Sequence, residues 1–453
     1  MNNNSTAIFT LGLKRAAAIF ICTSFTFAQA QAQDAPADGN SQPNILFILS
    51  DDQGLDSSAQ YPYSSDVPVT PVLDQIASAG VVFDNAWATP MCSTTRAAFL
   101  TGKHGVNSGL VTVPGTLDPS NEIVYEFLSA HPETANYAGA YIGKWHMGTA
   151  EINGEYPPVG HGISYFAGTF GNINTRQNAH YYDWPLIIDE PGVDTYEGRT
   201  DEYSTSKLTR LAEDWIEKQD TPWLLTLAYH APHAPFQWPP DHMHSRGEHG
   251  EECGPRDCYL AMIEAMDFEI GNLIDKLSEL GDLENTLIIM VGDNGSPQEQ
   301  SDSVVFGSTG AKGSLYEGGI GVPFVVSGAG VTRRGERDQR MVNITDLYAT
   351  IADVAGISLA GSINDSYSFA EYLNSAEGSF GRPYNYSEYA GNNVSGWVVR
   401  NDSHMLMHND LADGAEILYR LNGMNFELVD DTQGNEALIN ELRQFGMQVR
   451  GEL

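Results

Sequence analysis

Asn44-Ile45-Leu46-Phe47-Ile48-Leu49-Ser50-Asp51-Asp52-Gln53-Gly54 decides the fold of this chain. The run from Ile45 to Leu49 is apolar throughout, with no alternation. A strand with one wet face alternates; a continuous apolar run is a strand buried on both faces, as in a parallel sheet covered by helices. The run stops at two adjacent aspartates. Ligands of open α/β sheets gather beyond the carboxyl ends of strands, so paired acids there indicate a metal site more than an Asx turn. The pattern recurs at Thr286-Leu287-Ile288-Ile289-Met290-Val291, followed by Gly292-Asp293-Asn294-Gly295. Two such strand ends coincide by chance far less often than one. Asp51, Asp52, Asp293 and Asn294 together make a hard, oxygen-rich donor set, which suits Ca²⁺ best, Mg²⁺ next and zinc poorly.

Working outward, Tyr137 to Gly143 and Trp223 to Ala228 are two more buried strands, with shorter ones at Val81–Phe83 and Pro323–Ser327. Thr70-Pro71 opens a helix, with Thr70 as cap and Pro71 at the first helical position. Leu208–Lys218 and Asn343–Ala355 are helical. Tyr259–Leu280 is a long amphipathic helix whose apolar face is core, terminated by Gly281. From Glu151 to Tyr203 no long periodic run appears. Arg176, His180 and Trp184 fall there with several tyrosines, and either a substrate wall or plain loop packing accounts for them. His230, in Tyr229-His230-Ala231-Pro232-His233-Ala234-Pro235, joins them as a candidate substrate contact. Beyond Gly356 short strands alternate (Gly396–Val399, Met405–Met407, Ile417–Leu421) before a helix from Glu436. No internal repeat is present.

Charge and leader narrow the function. With 23 Lys and Arg against 59 Asp and Glu, the net charge is −36. Such a surface repels nucleic acid and anionic membranes, and an anionic substrate needs a local positive site against that field. Lys14-Arg15, the apolar stretch Ala16–Phe27, and small residues at Ala28 and Ala30 (Ala32 as second choice) form a secretory signal over residues 1–32. The apolar stretch is too short for a membrane anchor. A linker, 33–43, follows. The expected location is exported, periplasmic or extracellular. Cleavage leaves Cys92, Cys253 and Cys258. An oxidising compartment favours a local Cys253–Cys258 disulfide, two free thiols being the alternative, and leaves Cys92 as the odd cysteine.

Cys92 opens Cys92-Ser93-Thr94-Thr95-Arg96-Ala97-Ala98-Phe99-Leu100-Thr101-Gly102, a helical start just after Pro90. A helix N-terminus offers free N–H groups and positive dipole to an anion or an activated nucleophile. The string Cys-x-x-x-Arg-x-x-x-Leu-Thr-Gly resembles the signature of the formylglycine-dependent sulfatases of the alkaline-phosphatase superfamily. Its third position, usually Pro or Ala, is Thr94. The resemblance continues in order through Asp51-Asp52, Gly143-Lys144-Trp145-His146-Met147-Gly148, the Pro232-His233 segment, Asp293-Asn294-Gly295 and Gly310-Ala311-Lys312-Gly313. Gly321 stands where that family carries an arginine.

The resemblance implies an α/β fold, a large mixed sheet flanked by helices on both faces, with a smaller C-terminal antiparallel α+β subdomain. The catalytic domain would span 44–360 and the subdomain 361–453. It also implies that Cys92 is oxidised to formylglycine (3-oxoalanine) by a formylglycine-generating maturation enzyme, and that its hydrate attacks sulfur while bound to a divalent cation held by Asp51, Asp52, Asp293 and Asn294. Arg96, Lys144 and Lys312 would stabilise charge on the sulfuryl oxygens, His233 would serve the leaving oxygen, and His146 would help release sulfate. The expected function is an exported sulfatase acting on a sulfated saccharide or polysaccharide. The alternatives are a phosphonate or phosphate ester hydrolase on the same scaffold and a non-catalytic carbohydrate-binding relative.

Overall fold

A computed structural model describes residues 42–453 apart from 149–157, 174–178, 248–252, 255, 308–309, 360, 378–380, 423–424, 430–432 and 453. The signal segment, Arg176 and the linker before Gln42 lie outside the described residues.

The strands are β1 (Asn44–Ser50), β2 (Gly80–Trp87), β3 (Ala138–Lys144), β4 (Tyr165–Thr169), β5 (Trp184–Asp189), β6 (Tyr196–Thr200), β7 (Trp223–Ala228), β8 (Thr286–Gly292), β9 (Phe324–Gly328), β10 (Glu336–Asn343), β11 (Asn385–Ala390), β12 (Ser395–Arg400), β13 (His404–Asn409), β14 (Ala415–Asn422) and β15 (Asn425–Leu428). The helices are α1 (Pro71–Ser78), α2 (Cys92–Thr101), α3 (Gly105–Ser108), α4 (Val124–Ala130), α5 (Ser204–Ile216), α6 (Asp257–Leu280), α7 (Ser303–Phe306), α8 (Glu317–Ile320), α9 (Asp346–Val354) and α10 (Glu436–Val449).

The apolar run of β1 becomes a central strand because its side chains enter two cores. Ile45, Phe47 and Leu49 join one cluster with α2, α4 and α9 residues such as Phe99, Phe127 and Leu347. Leu46 and Ile48 point the other way, into a cluster with Leu73 of α1, Leu208 and Trp215 of α5, and Leu260 and Ile263 of α6. Each face of the sheet is thus covered by helices, the arrangement a two-sided apolar strand demands. The ten strands run β10-β2-β9-β8-β1-β7-β3-β4-β5-β6. The central block β8-β1-β7-β3-β4 is parallel, while β9 and β5 pair antiparallel with their neighbours. The sheet is therefore mixed, as expected.

The antiparallel sheet β11-β12-β13-β14-β15 is separate. One face packs Trp397, Leu406 and Leu418 on Leu442 of α10. The other sets Val398, Met405 and Met407 against Trp87, Leu315 and Ile320.

Three expectations change. The stretch expected to lack regular structure holds β4, β5 and β6. β4 is short, and β6, with five partly to fully exposed residues, has no apolar pattern to announce it. The helix expected from Asn343 begins at Asp346, because Asn343 closes β10, an edge strand of charged residues. Thr70 stands at the α1 cap position but its hydroxyl accepts from Gln60 Nε2 rather than capping the helix; Asp267 of α6 accepts from Val72 N (3.1 Å) and Leu73 N (2.7 Å) instead. Among the described residues no helix is long and apolar enough to cross a membrane.

Candidate active site

Four adjacent parallel strands deliver side chains to one point because their carboxyl ends lie level. Asp51 and Asp52 follow β1, Asp293 and Asn294 follow β8, His233 follows β7, and Lys144 ends β3, with His146 just beyond. Cys92 enters from the first turn of α2, every residue of which is buried. The helix ends at Gly102 (φ 64°), where a Cβ would fall 2.9 Å from the Tyr348 ring, so glycine serves both the left-handed turn and the close approach.

Cys92 Sγ lies 3.2 Å from Asp51 Oδ1, 3.7 Å from Asp52 Oδ1 and 3.5 Å from Lys312 Nζ. Lys144 Nζ reaches Asp51 Oδ2 at 2.6 Å, and Lys312 Nζ pairs with Asp52. Arg96 donates from Nη2 to Asp293 Oδ2 at 2.9 Å and from Nη1 to the Lys144 carbonyl. Ligand atoms of Asp51, Asp52, Cys92 and His233 lie within 4.8 Å of one another. His233 Nε2 is 3.7 Å from Asp52 Oδ2. Its Nδ1 lies 2.6 Å from the Ala234 carbonyl, which only accepts, so Nδ1 carries a proton and Nε2 faces the cluster.

Charge balance governs the ionisation here. Burial alone raises the Asp51 carboxyl, but the Lys144, His233, Arg96 and Lys312 charges outweigh it and hold it well below the ordinary range. Burial and then the Asp51 charge push Asp293 up to about 7. Burial, then Asp293 and Asp51, push the Cys92 thiol well above its usual value. Burial, with the Lys144 and Arg96 charges, keeps His146 well below its usual range.

A hard divalent cation fits this donor set. The carboxylates are clustered and buried, and Asn294 Oδ1 is buried without a hydrogen-bond partner among the described residues while its Nδ2 donates to Asp52. Cys92 is free, whereas Cys253 and Cys258 lie as a close pair, their Cα atoms 5.6 Å apart.

The outlying candidates sit elsewhere. Trp184 is fully buried in β5, donating from its indole to the Glu202 carbonyl and packing edge-on to His230, so it offers no open face. His230 is buried with both ring nitrogens engaged, by Thr169 and Ser204 hydroxyls. Both act as packing and hydrogen-bonding residues, the loop-packing alternative. His180 is half-buried, its Nδ1 accepting from Tyr182 N.

Sequence reasoning missed the residues beneath the cluster. The Tyr259 hydroxyl lies 2.8 Å from the Asp52 carbonyl and 2.9 Å from Ser296 Oγ. The Tyr181 hydroxyl lies 2.7 Å from the His230 carbonyl and 2.8 Å from that of His233, fixing that turn. Neither tyrosine had any signal beyond helix or loop placement.

The family model described as Sulfatase matches residues 43–357. Arylsulfatase J of Mus musculus is 30% identical over 346 residues, covering 72% of this chain and 55% of its own length. N-acetylgalactosamine-6-sulfatase of Homo sapiens is 28% identical over 352 residues, covering 70% of this chain and 62% of its own. The chain thus spans less than two thirds of these two relatives. Among solved structures, Ps i-CgsB in complex with k-i-k-neocarrahexaose superposes with a TM-score of 0.74 at 22% identity, covering 91% of this chain and 94% of that one. A second, solved with its substrate D-glucosamine-2-N,6-O-disulfate, gives 0.73 at 18% identity, covering 91% and 99%. These two likenesses concern the fold. With the matched family model spanning the whole of the large sheet and every strand end that feeds the cluster, the chain belongs to the formylglycine-dependent sulfatase family.

Proposed function

We propose that this protein is an exported sulfatase that hydrolyses a sulfate ester on a sulfated saccharide, with 44–360 as catalytic domain and 361–453 as C-terminal subdomain. The observation that carries the reading is the approach of Cys92 Sγ to Asp51 (3.2 Å) and Lys312 (3.5 Å) within a cluster that also holds Arg96 and Lys144. Asp51, Asp52 and Asp293 balance Arg96, Lys144 and Lys312 charge for charge. A divalent cation added to that balance leaves a positive site inside a strongly negative protein, which suits an oxyanion.

Asp51, Asp52, Asp293 and Asn294 would hold Ca²⁺ or Mg²⁺, which supplies Lewis acidity toward a bound hydroxyl and the sulfuryl oxygens. Cys92, matured to 3-oxoalanine by a formylglycine-generating enzyme, supplies the nucleophilic centre. Arg96, Lys144 and Lys312 stabilise the sulfuryl oxygens as charge develops on them. His233 presents Nε2 to the leaving oxygen, its ring oriented by the Nδ1 bond to Ala234; it serves that oxygen as an acid in its doubly protonated form, which burial disfavours and the Asp52 and Asp51 charges favour. His146, half-buried, with its Nδ1 buried and free of hydrogen-bond partners among the described residues, accepts a proton near the reacting group. The relatives named for arylsulfate and N-acetylgalactosamine-6-sulfate, and the neighbour solved with a disulfated glucosamine, support a sulfate-ester substrate and a saccharide carrier. Export rests on the leader, 1–32.

The test is sulfate release from a panel of sulfated saccharides by protein produced with a formylglycine-generating enzyme, against matched phosphate esters. Release from at least one sulfated saccharide, lost to background in Cys92→Ala, is expected. Faster turnover of the phosphate esters, or equal release by Cys92→Ala, overturns the reading.

A further inference from the structure

A cavity of about 500 Å³ opens beside β10, at the outer edge of the large sheet. Strands β2, β9 and β8 separate β10 from β1, so at about 4.8 Å per strand it lies roughly 19 Å across the sheet from the Cys92 cluster. Arg333, Arg337, Arg340 and Arg400 line it, with Asn85 and the carboxylates of Asp338 and Asp402. Four arginines on one cavity stand out in a chain with 23 Lys and Arg against 59 Asp and Glu.

Part of this charge has an ordinary explanation. β10 is an edge strand, and charge on an edge discourages pairing with other chains. Arg337 pairs with Asp84, Arg333 with Glu336 (2.9 Å) and Asp338 (2.5 Å), and Arg340 shares Asp338. Arg400 is different. It comes from β12, is 6% exposed, and has no carboxylate within 4.0 Å among the described residues. Glu317 and Asp402 act on it only from further away, and burial still holds its guanidinium below the ordinary value. It lies over the Trp87 ring, 5.7 Å from the centroid. Nε donates to the Asn401 carbonyl and Nη1 to Asn85 Oδ1, both at 3.2 Å. Nη2 has no hydrogen-bond partner among the described residues, and neither has Nη2 of Arg333, which is 7% exposed.

A buried guanidinium with no carboxylate in ion-pair reach is costly, and a planar fork held by bonds at Nε and Nη1 is prepared for an oxyanion. We propose that this cavity is an oxyanion site, separate from the Cys92 cluster, where Arg400 and Arg333 take a sulfate group, either free or carried on a saccharide. It requires no turnover at Cys92.

Calorimetric titration of the full chain in chloride buffer tests it, with inorganic sulfate and a sulfated disaccharide as the two probes. Lys144→Ala, which removes a cation from the Cys92 cluster, should still bind at one site. Adding Arg400→Gln should weaken that binding at least about tenfold, as expected for a lost charge-assisted pair. Asn85→Asp, which gives Arg400 Nη1 a carboxylate while giving up the amide bond to the Gln339 carbonyl, should have the same effect with the guanidinium still in place, so a folding defect in the first variant does not decide the matter. Binding of inorganic sulfate assigns a free-anion site; binding of the disaccharide alone assigns a saccharide-borne one. No binding of either probe to Lys144→Ala, or unchanged binding in both cavity variants, overturns the proposal.

Discussion

Asp52 sits at φ 71°, a left-handed backbone that costs an L-residue about 1–2 kcal/mol. Two bonds hold it there. Its N–H donates to Asp293 Oδ1 at 2.9 Å, and its carbonyl accepts from the Tyr259 hydroxyl at 2.8 Å. The strain aims its carboxylate at Lys312 and Cys92. Tyr259→Phe keeps the ring in the core and removes only the hydroxyl. We expect Ca²⁺ affinity, measured by titration of the full chain, to fall roughly 10- to 100-fold, the usual effect of losing support behind a metal ligand. Unchanged affinity would show that the Asp293 contact suffices. His104 gives a pH prediction away from the cluster. Burial brings it down to about 4, with Arg382 assisting and Asp365 opposing, and its ring packs edge-on to Tyr386. The folded state therefore holds His104 neutral while the unfolded chain protonates it. Its stabilising contribution is present above pH ~6.5 and is lost as pH falls toward ~4, at most about 3 kcal/mol. His104→Gln should flatten the fall of Tm across that window; an identical slope in both proteins counts against it. Lys144, His233 and Lys312 stood out in the sequence because their motifs did. Tyr259 and His104 did not, because what matters about them is a partner far along the chain.

At the scale of elements, long apolar runs were readable and edges were not. β1, β7 and β8 are buried on both faces, so their interiors are apolar except at Thr226 of β7, whose hydroxyl pairs with that of Tyr125. β6 and β10 sit toward the two edges of the sheet, and their polar residues look like loop until the neighbouring strand is known. Capping shows the same limit. Thr70 is a good cap by composition, yet Asp267 takes the N-terminal amides of α1 from another helix. Asp267→Ala should therefore destabilise the protein by about 1–2 kcal/mol, and Thr70→Ala by less. Denaturant titration of the two variants checks the order; the reverse order would restore the local cap.

For the whole molecule, a net charge of −36 means that the folded state repels itself. Raising salt shortens the screening length from about 10 Å at 0.1 M to about 3 Å at 1 M. We expect Tm to rise by several degrees over that range. Exposed pairs such as Arg199–Asp183 weaken under the same screening, but they are few against the excess of acids. A Tm that falls with salt would mean that such pairs outweigh the repulsion.

The sequence by itself determined the buried parallel strands, the acids at their ends and the order of the motifs. These are local facts: burial on both faces forces apolar runs, and ligand chemistry forces residue types at fixed offsets. Only the tertiary structure decided the rest. It brought Cys92 from α2, His233 from the segment after β7 and Lys312 from a turn to the same Asp52 carboxylate at the end of β1, since side chains from any part of the chain can close on one strand end. It made Trp184 and His230 parts of the packing, since a half-buried loop and a buried strand have the same composition when aromatic. It also left Arg400 buried with no carboxylate within ion-pair reach, a relation among β12, Trp87 and Asn85 that no stretch of sequence contains.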